Sequence, residues 1–157
     1  MPEAPPLPGP DWVAVQPFPF AAARKSFAGA IADELLELAY YKRPDGTLVA
    51  VAAFGALSEG APGQVHGGII LTVLDEALGA AAWMAGHPVL TVRLNTEFRK
   101  TIPVHAKLLV EPRITAVRHR LVFVEGSLLG PDGARFASAK AEFLALKEAD
   151  QKRVFGR

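Results

Sequence analysis

Residues 63–83, GQVHGGIILTVLDEALGAAAW, carry two adjacent acids, Asp75 and Glu76, in a run that is otherwise almost wholly apolar. A carboxylate among aliphatic side chains is costly unless it is paired, hydrogen-bonded or put to use. The spacing predicts one helix over 67–84. At about 100° per residue, Gly68, Thr72, Asp75 and Gly79 fall on one stripe of that helix, with Glu76 beside it. Gly68 and Gly79 would let another backbone or a ligand approach closely. His66-Gly67-Gly68 stands at the helix start, where the first amides have no intrahelical partner and carry the positive end of the dipole. Two glycines bare those amides. An amide so placed stabilises the oxyanion of a polarised carbonyl, and a carboxylate attacks a carbonyl or activates water. Together these groups are equipped for acyl transfer.

Gly68 and Asp75 are seven residues apart, or about 10 Å along a helix axis at ~1.5 Å per residue. That is too far for both to engage one carbonyl group. If they cooperate, the amide of one chain meets the acid of a second. The arithmetic favours a site shared across a two-fold dimer, with two sites per dimer.

The surrounding elements must hold this helix against something. Residues 1–28 open with MPEAPPLPGP and read as a Pro-rich arm, with Phe18 and Phe20 packing on the body; residues 29–148 read as one domain and 149–157 as a polar, frayed tail. Pro44-Asp45-Gly46 marks a turn between strands at about 36–43 and 47–54, the first of which could begin as helix. GALSEGAPGQVHGG is a glycine-rich loop into the helix, and Gly86 and Pro88 end it. Strands follow at 89–99 and 106–118, with Pro112 marking a bulge or an edge. A hairpin through Pro131-Asp132-Gly133 closes the chain. The fold class is α+β: a curled antiparallel sheet of about six strands wrapped around one long buried helix.

Composition narrows the function. The chain has 157 residues, half of them hydrophobic, a net charge of +1 and no cysteine. Nothing in that balance points to nucleic acid or an anionic membrane. The absence of Cys removes disulfides and thiolate chemistry and fits a cytoplasmic setting. The start lacks the features of a signal peptide, and no run is expected to span a bilayer. His66, His87, His105 and His119 lack metal-site spacing, so no metal is expected.

His66-Gly67-Gly68, Asp75 nine residues after the His, and the following LTVRLNTEFRK resemble the hotdog-fold acyl-CoA thioesterases, in the branch that includes the phenylacetic-acid-pathway enzymes. The later VEGSLLGPDGARFASAKAEF resembles that family's closing hairpin, so the likeness covers about residues 34–147. The resemblance implies hydrolysis of an acyl-CoA thioester, with CoA entering as part of the substrate and no further cofactor. It puts the catalytic acid on Asp75, as nucleophile or general base, and the oxyanion amide on Gly67 or Gly68, with His66 shaping the turn. Thr91 matches a hydroxyl across the active site, and Arg99 and Lys100 match the place where CoA phosphates bind. A homodimer with joined sheets is implied, often paired into a dimer of dimers. One departure stands out: an Asn or Gln common about six residues before the His is here Gly60, and the nearest amide side chain is Gln64. That departure supports an alternative, a non-catalytic acyl-CoA-binding or regulatory protein; an enoyl-thioester hydratase or dehydratase is a third reading. Glu76 reads as a solvent- or interface-facing salt-bridge residue, Trp83 as a pocket wall, and Phe98, Phe123, Phe136 and Phe143 as core.

Overall fold

The structure, a computed structural model, describes residues 4–19 and 34–156. Phe20 of the aromatic cluster and the expected arm boundary at 28 lie outside the described residues. Along the chain run β1 (Val13–Val15), β2 (Leu36–Lys42), β3 (Leu48–Phe54), a short 3-10 turn (Ala56–Ser58), α1 (Gly67–Met84), β4 (Val89–Phe98), β5 (Lys107–Val110), β6 (Arg113–Arg118), β7 (Leu121–Leu129), β8 (Arg135–Ala145) and α2 (Glu148–Phe155). One antiparallel sheet takes the order β1-β2-β3-β5-β7-β8-β4, with β6 also on β7.

Local chemistry sets the turns. In the β2–β3 hairpin, Asp45 Oδ1 accepts from the Thr47 amide at 2.9 Å and from its hydroxyl at 2.7 Å. Gly46 there has φ +87°, which a side chain would strain. In the β7–β8 hairpin, Asp132 Oδ1 accepts from the Ala134 amide at 3.1 Å, beside Gly133 at φ +83°. Residues 106–118 form one interrupted strand, since β5 and β6 pair in turn with β7 on either side of Glu111-Pro112. Gly126 on β7 makes room for that break: a Cβ there would lie 3.0 Å from Leu78 Cδ1 and 3.1 Å from the Glu111 carbonyl oxygen.

Helix α1 and the sheet build the core together, with the strands supplying the larger share. Val73, Leu74, Ala77, Leu78, Ala80 and Ala82 are fully buried, together with Val49, Val110, Val122, Leu128 and Phe143 from the sheet. By length and composition α1 is long and apolar enough to cross a membrane, contrary to the sequence expectation; half of it is buried inside this domain. Gly86, at φ +89°, donates to the Trp83 carbonyl and ends the helix as expected.

Three sequence expectations are corrected. The arm contributes β1, which pairs with β2 through Val13↔Lys42, Ala14↔Tyr41 and Val15↔Tyr40. The tail is not frayed: it forms α2, whose Phe155 meets Trp83 edge-on at 5.1 Å. Phe98 is not core; it is 53% exposed, because β4 is the last strand of the sheet. Phe143 is fully buried, while Phe123 and Phe136 are half-buried.

Candidate active site

Asp75 lies half-buried in the middle of α1, where Thr91 Oγ1 on β4 donates to its Oδ1 at 2.8 Å. A β-bulge makes this contact possible. Thr91 pairs with Phe143, and the register then shifts so that Arg93 pairs with Glu142 and Leu94 with Ala141. Phe143 and Ala141 are buried, so Thr91 and Leu94 share the inner face although three residues separate them. Regular alternation would turn one of them outward. The extra residue, Val92, absorbs the difference and aims Thr91 at the helix. Arg93 then faces outward, where it pairs with Glu142 at 3.0 Å.

At the other end of α1, His66 is the N-cap and its Nδ1 accepts from the Gly68 amide at 2.9 Å. Nδ1 is therefore unprotonated, so the ring is held as the neutral Nε2–H tautomer. The Ile69 amide donates to the His66 carbonyl at 3.0 Å. That leaves Gly67, whose amide has no partner among the described residues, as the open donor. Of the two amides the sequence leaves open, Gly68 is taken up by the His66 ring and Gly67 is not. Thr72 turns its hydroxyl back onto the Gly68 carbonyl at 3.0 Å. The Phe98 ring lies 3.8 Å from where a Gly67 side chain would begin, so the start of α1 sits at the far end of β4 from Thr91.

Gly60 explains its own departure from the expected amide side chain. A Cβ at this position would stand 2.9 Å from His66 Cα and 3.1 Å from its Cδ2. The loop is closed by the Gly60 amide on the Gln64 carbonyl at 2.8 Å and the His66 amide on the Ser58 carbonyl at 2.8 Å. An Asn here would displace the cap. Gln64 is half-buried, and its Oε1 is buried with no hydrogen-bond partner.

Other expectations change on inspection. Gly79 packs on the Phe143 ring, 3.6 Å from its would-be Cβ, so it serves the core and not a ligand. Glu76 is not an outward charge: its Oε2 is buried, and with Asp75 it acts on Tyr40. Burial first, then the charges of Glu76 and Asp75, hold the Tyr40 phenol well above its ordinary value of 10. Neither acid's influence on Tyr40 was readable from periodicity, because the contact joins β2 to α1 across the fold. Trp83 packs between Phe18 at 6.1 Å and Phe155 at 5.1 Å. Arg99 and Lys100 are exposed past the end of β4, and Arg99 pairs with Glu97 at 3.3 Å. No group of three or more His, Cys, Asp or Glu among the described residues could hold a metal.

A polar groove of about 580 Å³ lies on the outer face of the sheet, lined by Arg99, Arg113, Arg135 and Lys140 with Glu97, Glu111 and Glu125. Asp75 and Thr91 are not part of it. Their own surroundings open along β4, whose Leu90, Val92 and Phe98 are 42%, 54% and 53% exposed.

Known proteins carry the same elements. Residues 62–137 match the family model of the thioesterase superfamily. The rat acyl-coenzyme A thioesterase THEM4 is 30% identical over 93 residues, which is 59% of this chain and 40% of that relative's length. A crystal structure of a thioesterase superfamily protein aligns at TM-score 0.63 and 25% identity, over 68% of this chain and 53% of the other. A Bacillus halodurans protein solved with CoA aligns at TM-score 0.59 and 26% identity, over 66% of this chain and 70% of that one. The chain is thus similar to the thioesterase superfamily over residues 62–137, and it shares its fold with these thioesterase structures. It spans less than half the length of the THEM4 relative it matches.

Proposed function

We propose that this chain hydrolyses acyl-CoA thioesters to the free acid and CoA, at a site completed by a second copy of itself. The observation that carries the reading is the Asp75 carboxyl, held by Thr91 at 2.8 Å and placed beside an open edge strand. Asp75 attacks the thioester carbonyl or draws a proton from water; the CoA thiolate leaves and the acyl group departs as the carboxylate. Thr91 fixes the acid or its water. The open Gly67 amide receives the oxyanion, with His66 holding the turn.

The shared site follows from the placement of the two ends of β4. The acid stands at the Thr91 end, and the Gly67 amide stands at the Phe98 end. Pairing β4 antiparallel with its own copy about a two-fold axis brings the Thr91 end of one chain beside the Phe98 end of the other. It also covers the exposed Leu90, Val92 and Phe98 and satisfies the open edge. The same pairing carries Arg99 and Lys100 toward the second copy's acid, where CoA phosphates would need cations. A further pairing into a dimer of dimers, through the outer sheet face, belongs to this reading. So does a reducing, cytoplasmic setting for a chain without cysteine. The chemistry needs water, an acid and an amide, and no metal or redox cofactor; CoA arrives as part of the substrate.

The test is free-thiol release from acetyl-, hexanoyl-, palmitoyl-, benzoyl- and phenylacetyl-CoA, with Asp75→Asn beside the parent. Turnover that falls at least about 10³-fold in Asp75→Asn is expected for loss of the reacting group. Saturable CoA-thioester binding with no thiol release from the parent would instead make the chain an acyl-CoA-binding protein.

A further inference from the structure

His66 ties the loop before α1 to the helix through each of its polar backbone groups. Its amide donates to the Ser58 carbonyl at 2.8 Å, and its carbonyl accepts from the Ile69 amide at 3.0 Å and the Ile70 amide at 3.3 Å. The Gly68 amide donates to its Nδ1 at 2.9 Å. Two glycines bracket the imidazole. A Cβ on Gly60 would lie 3.1 Å from Cδ2, and one on Gly68 would lie 3.1 Å from Nδ1 and 3.3 Å from Cε1. The ring thus sits in a slot that a larger residue at 60 or 68 would crowd. Gly67 stands between the two residues joined by the ring. Glycine has the widest backbone freedom of any residue, so the closed link from His66 to Gly68 is what holds the direction of the Gly67 amide.

Nδ1 accepts only while it carries no proton. A proton there turns it into a donor facing the Gly68 donor, and sets a positive charge on the positive end of α1. No counter-charge offsets this: among the described residues no carboxylate lies within 4 Å of the ring. In the preceding loop the charged group is Glu59, whose Oε1 is engaged by the Gly63 amide at 2.6 Å. The segment after β4, joined to that loop by the Val65 amide on the Ile102 carbonyl at 2.8 Å, brings Arg99, Lys100 and His105. On α1 itself, Asp75 and Glu76 stand more than two turns away. We propose that His66 is a positioning residue that makes the amide site depend on pH. The neutral ring keeps the Gly67 amide on its aim; a proton taken from solvent onto Nδ1 breaks the Gly68 bond, drives the ring from its slot and releases that amide. The kinetic consequence rests on the thioesterase reading; the coupling of ring and backbone does not.

Histidine side chains exchange a proton between about pH 5 and 8, so the full-length protein is followed over that range. NMR on its ring and amide nitrogens is run beside kcat/KM for the best CoA thioester of the panel. At the alkaline end Nδ1 is expected bare and Nε2 protonated. As His66 gains its proton, the Gly67 and Gly68 amide signals shift with the same midpoint, and kcat/KM falls along a one-proton limb with that midpoint, about tenfold per pH unit at its steep end. Asparagine caps a helix without titrating in this range. His66→Asn therefore lowers kcat/KM at the alkaline end but removes the limb. His119→Asn, in the β6–β7 turn at φ 55°, a conformation that Asn tolerates, keeps the parent's limb. A proton on Nδ1 at the alkaline end overturns the proposal. So does a His66→Asn enzyme that keeps the parent's limb, or a pair of amides that do not follow the ring. If the parent cleaves no thioester, the thioesterase reading fails, and the shared midpoint of ring and amides alone decides this inference.

Discussion

Replacing Thr91 by Val probes the contact on which the site turns. The two side chains have nearly the same shape, and both suit a β-strand. What is lost is one hydrogen bond, 2.8 Å long, to a carboxylate. A bond to a charged group contributes about 1.5–3 kcal/mol where water is excluded. In the isolated chain Thr91 is exposed, so the effect on folding stays below about 1 kcal/mol and Tm moves by no more than about 3 °C. In the proposed shared site the substrate and second copy would exclude water, and the same bond would then act on the acid proposed to react. At about 1.4 kcal/mol per factor of ten, kcat should fall between ~10- and ~100-fold, with KM changed by less than about threefold. Steady-state thiol release on the best substrate measures both constants. Thr91→Ser restores the hydroxyl and should recover most of the loss. A Thr91→Val enzyme within twofold of the parent would refute the role of this contact, since the change removes it without altering the strand.

Three further outcomes follow from particular distances and exposures. Gly60→Ala places a Cβ 2.9 Å from His66 Cα, a backbone atom that cannot move alone; the loop should lose about 1–3 kcal/mol, seen as a Tm drop of roughly 2–10 °C, and an unchanged Tm would show that the cap is not close-packed. Val92→Lys sets a charge on the bulge of the open edge, where Val92 is 54% exposed; light scattering should find monomer and activity should fall with it, whereas Val13→Lys on the opposite edge should change neither. Tyr40 stays neutral in the folded chain at pH values where an unfolded tyrosine ionises. Unfolding therefore releases a proton above about pH 10, so this contribution to stability is intact below that pH and lost as pH rises; Tyr40→Phe should lose less Tm than the parent between about pH 9 and 11.

The helix was legible because its punctuation is local, and so was the nearness of Thr91 to Asp75. Gly67-Gly68 opens α1, Gly86 and Pro88 close it, and the observed bounds are Gly67–Met84. Pro112 announced the break between β5 and β6, and the two Pro-Asp-Gly turns announced the hairpins. Elements that exist only through distant contacts were not legible. Helix α2 is polar along nearly all its length, and the Trp83 ring that meets Phe155 lies far back in the chain. Strand β1 is three residues long and gains its identity from pairing with β2. The inner face of a strand shows in its alternation, but whether that strand ends the sheet does not. That is why Phe98 read as core and proved exposed.

The two neighbouring acids show how one helix serves two demands. A rotation of about 100° separates adjacent residues, enough to send Asp75 toward β4 and Glu76 toward β2. On the β4 side the sheet ends, and Asp75 keeps a hydroxyl partner beside that open edge. On the β2 side the sheet continues into β1 and the aromatic run of Tyr40, Phe18 and Trp83, so Glu76 is closed in. A carboxylate on an open edge can be reached by other molecules. One closed in behind aromatic rings gains nothing from reactivity and is useful only as an acceptor. The difference between them is set by where the sheet stops: it ends at β4, on the side of Asp75, and runs on to β1 beyond β2.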